Sequence, residues 1–599
     1  ERGNLESAIR SFGESEQLER QMGLHELEVT TGINQVTALV LVGRNEDLER
    51  RLAESLRLAR EMKPVRAKAL RLLSIGSQYW AAQWRFGLAA GWRKLAYDAY
   101  RDGLDVARVI GDRRLISYGL GFIGRLYEDE RRYDEALRYT RQATFVAQEA
   151  GAADIRYLWE WQAGRILRAR GEEVQAIVGY RQSLRTLQEI RSDLNSSRTP
   201  FHRFVGPVFR ELADLLLRHS SAAKDQQAAQ RDLLEVRATL EELKRAEVAE
   251  YFRDDCVVQT QGAATLDTIS AKAAIIYPVL LTDRTELLVS LPRALKRFSV
   301  NVGLDELTSV IRRFRRGIDV VDESNSFEPH SRRLYDWLIR PLTEDLRRDD
   351  VSTLVIVPDG PLRTIPLAAL HDGEKFLVEN YAVVTTPGLT LTSARPAPRT
   401  GVKVLAGGLT EAVQGFSPLP NVAMELASIE ATYPATILQD SSFKTASIVR
   451  DVSTGAYSIL HFATHGHFDR EPGNSFLLTF DGKITMDGLQ DSLGQRRYRE
   501  EPVELLVLSA CQTAAGDDRA ALGLAGVGLK AGARSVVASL WSISDESTAI
   551  LVSEFHKQLT DKGKTKADAL RIAQLLLLGQ QRFRHPYYWA PFVLIGNWL

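Results

Sequence analysis

Tyr457-Ser458-Ile459-Leu460-His461-Phe462-Ala463-Thr464-His465-Gly466 and Val503-Glu504-Leu505-Leu506-Val507-Leu508-Ser509-Ala510-Cys511-Gln512-Thr513 decide the fold of this 599-residue chain. Each is a short apolar run ending in small or polar residues. That is how a buried parallel strand reads where it leaves its sheet. In open parallel sheets, ligands bind beyond the carboxyl ends of the strands. A His closing one run and a Cys closing the other are therefore expected to face one crevice. A thiol attacks a carbonyl well only as thiolate, and a neighbouring imidazole takes its proton and later returns it to the leaving group. His465 and Cys511 are accordingly the candidate catalytic pair. Gly466 directly follows the His and lets backbone approach a substrate closely. Its N–H and that of Cys511 form the candidate oxyanion hole.

Further strand-like runs surround these two from about Lys272 onward. Ala274 to Leu281 and Thr285 to Ser290, separated by Thr282-Asp283-Arg284, predict a hairpin. Leu354 to Val357, Val402 to Ala406, Ser535 to Ser539 and Phe592 to Ile595 predict more strands, with helical patterns at Val422 to Thr432 and Glu546 to Leu559. Alternating strands and helices predict a largely parallel sheet covered by helices on both faces.

The first half reads differently. Leu48, Leu52 and Leu56 recur every four residues with charges between them, which places them on one helical face. Ala96, Ala136 and Ala176 stand 40 apart (136 − 96 = 176 − 136 = 40), as do Arg101, Arg141 and Arg181; Gly124 and Gly164 keep the same step. A period in this range predicts stacked helical hairpins, with Ala and Gly where two helices touch. From about Ala222 to Phe252 the text is strongly charged, with Leu233, Leu234, Leu240 and Leu243 at roughly helical spacing. A long connecting helix is expected there, as transmitter or as solvated spacer.

Composition narrows the function. Lys plus Arg (77) equals Asp plus Glu (77), which argues against direct nucleic-acid binding. Only Cys256 and Cys511 are present, so a disulfide framework and a Cys-rich zinc site are excluded. No apolar run reaches the roughly 18 residues of a membrane helix. The start, Glu1-Arg2-Gly3-Asn4, has no signal-peptide pattern and no Met, as expected of a trimmed N-terminus. A thiolate nucleophile suits a reducing compartment, so a cytoplasmic location is expected. His461, His465 and His467 also admit a reading as metal ligands, but no acidic partner pattern accompanies them, and no metal or cofactor is expected. Gly526-Val527-Gly528 fits a dinucleotide fingerprint only on paper; tight helix packing is the better expectation.

Two resemblances add to this. Gly164, Leu167, Gly171, Ala176 and Tyr180 resemble the tetratricopeptide repeat, although the step is longer than its usual length and Thr140 stands where Tyr100 and Tyr180 do. The His and Cys motifs, with Pro358-Asp359-Gly360-Pro361-Leu362-Arg363 and Tyr588-Trp589-Ala590-Pro591-Phe592, resemble the CHAT domain of the caspase-like (clan CD) cysteine peptidases. That family is commonly found behind tetratricopeptide repeats. The resemblance covers roughly residues 272–599 and implies a repeat array at 1–220, a connecting helix and linker at 221–271, a noncatalytic pseudo-caspase half at 272–400 and a catalytic half at 401–599. It carries the dyad onto His465 and Cys511, 46 residues apart (511 − 465 = 46). In separase-like relatives an acidic residue comparable to Asp545 faces the substrate residue before the cut, which implies a preference for Arg or Lys there. As a helix-terminal acid, Asp545 would equally stabilise a first turn. The expected fold class is thus an N-terminal α-solenoid followed by a caspase-like α/β domain. The expected function is a regulated bacterial cysteine endopeptidase that cleaves a protein substrate, its array binding an activator or that substrate. The alternative is a noncatalytic scaffold.

Overall fold

The structure, a computed structural model, describes residues 2–45, 48–87, 91–190, 205–252, 272–321, 324–392, 401–469, 471–485, 487–489, 491, 503–513, 519–523, 526, 532–541 and 544–599; the side chains of residues 2, 3, 472 and 510–513 are outside that description. Cys256 lies outside the described residues. The chain divides into two compact units, Glu1–Leu215 and Leu216–Leu599.

Within the first unit the helices pair as hairpins: Arg66–Phe86 with Gly91–Ile110, Arg113–Asp129 with Tyr133–Glu149, and Ala153–Ala169 with Glu173–Glu189. The repeat positions seen in the sequence are where the paired helices touch. Ala96, Ala136 and Ala176 are fully buried. A Cβ added to Gly124 would lie 2.8 Å from Thr140 Oγ1, and one added to Gly164 would lie 2.9 Å from the Tyr180 ring. Gly76 meets Tyr100 in the same way, at 2.6 Å. Such separations are closer than any side chain tolerates, so each glycine sets how near its partner helix comes. Thr140, the departure from the repeat, keeps the contact with a polar group: its hydroxyl donates to the Ala136 carbonyl at 2.7 Å and accepts from Gln162 Nε2 at 2.7 Å. The unit is the tetratricopeptide-like α-solenoid that the sequence predicts.

The second unit is built on one sheet. Its strands among the described residues are β1 (Ala273–Leu280), β2 (Thr285–Ser290), β3 (Leu295–Val300), β4 (Thr353–Ile356), β5 (Ala382–Thr385), β6 (Val404–Gly408), β7 (Ala435–Gln439), β8 (Ile459–Phe468), β9 (Phe476–Leu478), β10 (Lys483–Thr485), β11 (Leu505–Thr513), β12 (Ser535–Ser539) and β13 (Phe592–Gly596). β7, β6, β8, β11 and β12 lie side by side and parallel. β13 joins β12 antiparallel and β5 in parallel, and thereby fuses them to a second parallel run of β5, β4 and β1. The predicted hairpin is β1–β2, with Tyr277 opposite Leu288. The runs of β1, β2, β4, β6 and β12 are buried along their whole length, as a sheet covered on both faces requires. The sequence did not predict β3, because Lys296 and Arg297 interrupt its apolar pattern. Arg297 is accommodated by Glu286 of β2, fully buried, at 2.7 Å.

The charged helix Gln226–Phe252 packs on this second unit, and its charges are not a solvated face. Glu241, Lys244 and Glu247 are all buried. Glu241 accepts from Tyr277 Oη (2.7 Å), from the backbone N–H groups of Leu389 (3.0 Å) and Thr390 (2.9 Å), and from Thr390 Oγ1 (2.8 Å). Lys244 Nζ pairs with Asp359 at 2.7 Å, and Glu247 accepts from Arg363. Buried charges are tolerated when paired and hydrogen-bonded in this manner. Asp359 and Arg363 belong to the Pro358–Arg363 motif, so one role of that motif is to hold the helix. At its far end, Tyr251 Oη donates to the Asp469 carbonyl at 2.8 Å, and Arg519 pairs with Glu250 at 3.0 Å. A Cβ on Gly526 would lie 2.2 Å from the Phe252 ring, the tight packing expected of that glycine. Among the described residues no helix is long and apolar enough to cross a membrane.

Candidate active site

β8 and β11 are parallel neighbours, so both motif runs end at the same edge of the sheet, and β12 ends there too. Leu505 to Leu508 pair in step with Ile459 to Phe462. The register then shifts, and Ala510 stands opposite His465 while Cys511 stands opposite Gly466. Two residues of β8, Ala463 and Thr464, are thereby set against Ser509 alone. A bulge of this kind re-aims side chains and is frequent beside active sites. Thr464, buried, anchors it by donating to the Leu478 carbonyl at 2.8 Å. The two candidate positions are thus on adjacent strands, one register step apart. The side chain of Cys511 and the loop at 514–518 are outside the described residues.

His465 is half-buried, and a loop the sequence did not single out holds it. Its Nε2 lies 2.8 Å from the carbonyl oxygen of Ser417, and its ring lies 5.2 Å from that of Phe416. A carbonyl oxygen only accepts, so Nε2 must carry the hydrogen. In the neutral imidazole the lone pair is then at Nδ1, which becomes the proton-accepting nitrogen. Phe416 and Ser417 are presented by a tight turn. The Phe416 N–H donates to Val413 O at 2.9 Å, and the central residues Gln414 and Gly415 have φ of 52° and 84°. Positive φ at both central positions is the type I′ pattern, which Gly favours at no steric cost.

Asp545 opens the helix Asp545–Leu559, shortly after β12. Its Oδ2 accepts from the backbone N–H (2.8 Å) and from Nδ2 (2.9 Å) of Asn421, which precedes the helix Val422–Thr432. Asp545 is therefore both a helix-terminal acid and the tie to a second helix start. Beneath the edge, His461 is fully buried. Its Nδ1 lies 3.2 Å from Nε2 of His556. Its Nε2 is 2.7 Å from Glu425 Oε1, though out of line for a hydrogen bond. Burial, and then the neighbouring His461, push the His556 imidazole well below its ordinary value. His461 thus belongs to an internal cluster. His467 sits at the strand end, 3.6 Å from Asp469.

Residues 328–597 match the family model of the CHAT domain. Tetratricopeptide repeat protein 28 of Homo sapiens is 24% identical over 332 residues, which is 46% of this chain and 13% of that protein. Its counterpart in Mus musculus is 24% identical over 330 residues, 45% of this chain and again 13% of its own length. The chain spans 13% of the length of the curated relatives it matches. Among solved structures, BtubC (BKLC) from P. vanneervenii aligns at 16% identity and a TM-score of 0.30 over 41% of this chain and 91% of its own. The Saccharomyces cerevisiae separase–securin complex aligns at 10% identity and a TM-score of 0.36 over 96% of this chain and 54% of its own.

Proposed function

We propose that this chain, in which a CHAT domain follows tetratricopeptide-like repeats, is a regulated cysteine endopeptidase with Cys511 as nucleophile and His465 as its base. The observation that carries the proposal is the bond between His465 Nε2 and the Ser417 carbonyl. It fixes the tautomer, holds the ring on Phe416 and leaves Nδ1 to receive a proton at the sheet edge where β11 ends.

In the proposed reaction, Nδ1 takes the thiol proton and the thiolate attacks the scissile carbonyl carbon. The carbonyl π pair moves onto oxygen, where the N–H groups of Gly466 and Cys511 receive it. The imidazolium gives its proton to the leaving amine as the C–N bond breaks. Water, deprotonated by the same imidazole, then hydrolyses the thioester. Asp545 receives Arg or Lys of the residue before the cut by charge-assisted pairing. The repeat array binds the activator or the substrate itself, and a reducing cytoplasm keeps the thiol available.

Mass-spectrometric mapping of the cleavage ends generated by wild type and by Cys511→Ala tests this. The expected result is a set of new ends after Arg or Lys, absent with the variant, whose folding is unchanged. Cleavage retained by Cys511→Ala would end the assignment and leave the chain an adaptor.

A further inference from the structure

The edge of the sheet opposite the candidate active site holds a cavity of about 230 Å³. Ile459 and Leu505, the first residues of β8 and β11, form part of its wall. His465 is six positions further along β8 (465 − 459 = 6), about 20 Å away at the rise of an extended strand. The cavity therefore belongs to neither the dyad nor Asp545. Val402, Leu559 and Leu599 complete a largely apolar lining, and the Tyr433 ring closes one side.

The charged lining carries a cationic excess. Lys562, Lys564 and Lys566 all contribute. The acidic side chain among the lining residues is Glu504, which is already engaged by Arg534 at 2.7 Å. Lys564 also lies 3.2 Å from Asp561, but Asp561 is not part of the lining. Counting Arg534 and Asp561 with the lining, and the terminal carboxylate of Leu599, four cations meet three carboxylates. An apolar recess gains nothing from water, and its cationic rim favours an anionic head group. The volume is smaller than the roughly 300–1,000 Å³ of ordinary ligand pockets, so the occupant is small.

We propose that this cavity is a binding site for a small amphipathic anion: an apolar body seated against Val402, Ile459, Leu505 and Leu559, with a single carboxylate-type head on Lys562 and Lys564. Apolar burial supplies the attraction, and the lysines select the sign of the head group. Leu559 ends the helix that begins with Asp545, so the occupant would rest on an element shared with the active-site edge.

Titration calorimetry on the full chain, with octanoate as the probe, tests the site, with octylamine and methyl octanoate as head-group controls. Octanoate is expected to bind saturably at one site, and the two controls at least about tenfold more weakly. The doubly substituted K562Q/K564Q chain, altered only at the rim, should lose about tenfold in octanoate affinity while its melting temperature is unchanged. Ser458 also lines the cavity, and Ser458→Leu, which fills it, should abolish binding of all three probes. Non-saturable octanoate uptake, equal binding of octylamine, or unaltered affinity in K562Q/K564Q would each overturn the proposal.

Discussion

Glu241→Gln isolates the role of the buried carboxylate that fastens the long helix to the second unit. The side chain is nearly isosteric, so packing is kept and only hydrogen bonding changes. Oε1 of Glu241 receives Tyr277 Oη and the Leu389 N–H; Oε2 receives the Thr390 N–H and Oγ1. A glutamine offers one carbonyl oxygen, so its NH₂ must face one of these two pairs. The hydroxyl in either pair can rotate and accept. The backbone N–H cannot, and it is left buried opposite another donor. One orphaned donor costs about 1–3 kcal/mol, and bonds to the neutral amide are each weaker than those to a carboxylate by about 1 kcal/mol. Allowing for non-additivity, about 3 kcal/mol is expected. Hydrogen exchange read by mass spectrometry on a peptide spanning Thr386–Thr392 reports local opening. At about 1.4 kcal/mol per factor of ten, its protected amides should exchange about a hundredfold faster in the variant. Exchange within about threefold of wild type would refute the reasoning, since less than about 1 kcal/mol would then rest on this carboxylate.

The remaining predictions concern the active-site edge. Asn421→Ala removes the Nδ2 bond to Asp545 Oδ2 and leaves the backbone N–H bond in place; losing this charge-assisted bond should raise KM for substrates with Arg before the cut by about tenfold, with kcat changed less, in a steady-state peptide assay. Equal loss for substrates lacking a basic residue would show that the pair is only structural. His556 is held neutral in the fold while the unfolded chain titrates near its ordinary value of about 6.5. Below that pH the unfolded state binds a proton that the folded state refuses, so stability falls as pH falls. The slope approaches about 1.4 kcal/mol per pH unit until the folded group also protonates. Thermal melts between about pH 7 and 5 should therefore be less pH-dependent in His556→Gln than in wild type. Parallel curves would show that His556 does not contribute to the slope.

Much of this architecture was legible because burial leaves a pattern. The wholly apolar runs around Leu354, Val404, Leu505 and Val536 announced parallel strands, and the 40-residue step of Ala and Gly announced helix contacts. The Cys511 and His465 motifs were legible as strand ends, and the register puts them on neighbouring strands. What was illegible depends on groups without a residue-type signature. The partner of His465 Nε2 is a backbone carbonyl, which any residue at position 417 would supply. Asn421 and Asp545 meet across 124 positions, and neither is unusual in its local text. The sequence of the helix Gln226–Phe252 left transmitter and solvated spacer equally open because its partners, Tyr277, Asp359 and Arg363, are remote in sequence. β3 was hidden because Arg297 is paid for by Glu286 on the adjacent strand rather than by an apolar alternation.

The central claim is that the imidazole of His465 activates the thiol of Cys511. The most direct test is the pH dependence of iodoacetamide alkylation at Cys511, followed by peptide mass spectrometry in a Cys256→Ser background, for wild type and for His465→Ala. The account predicts that wild type alkylates well below pH 8.5, the usual titration point of a free thiol, and that His465→Ala returns the profile to about that value. Identical profiles in the two proteins would contradict it.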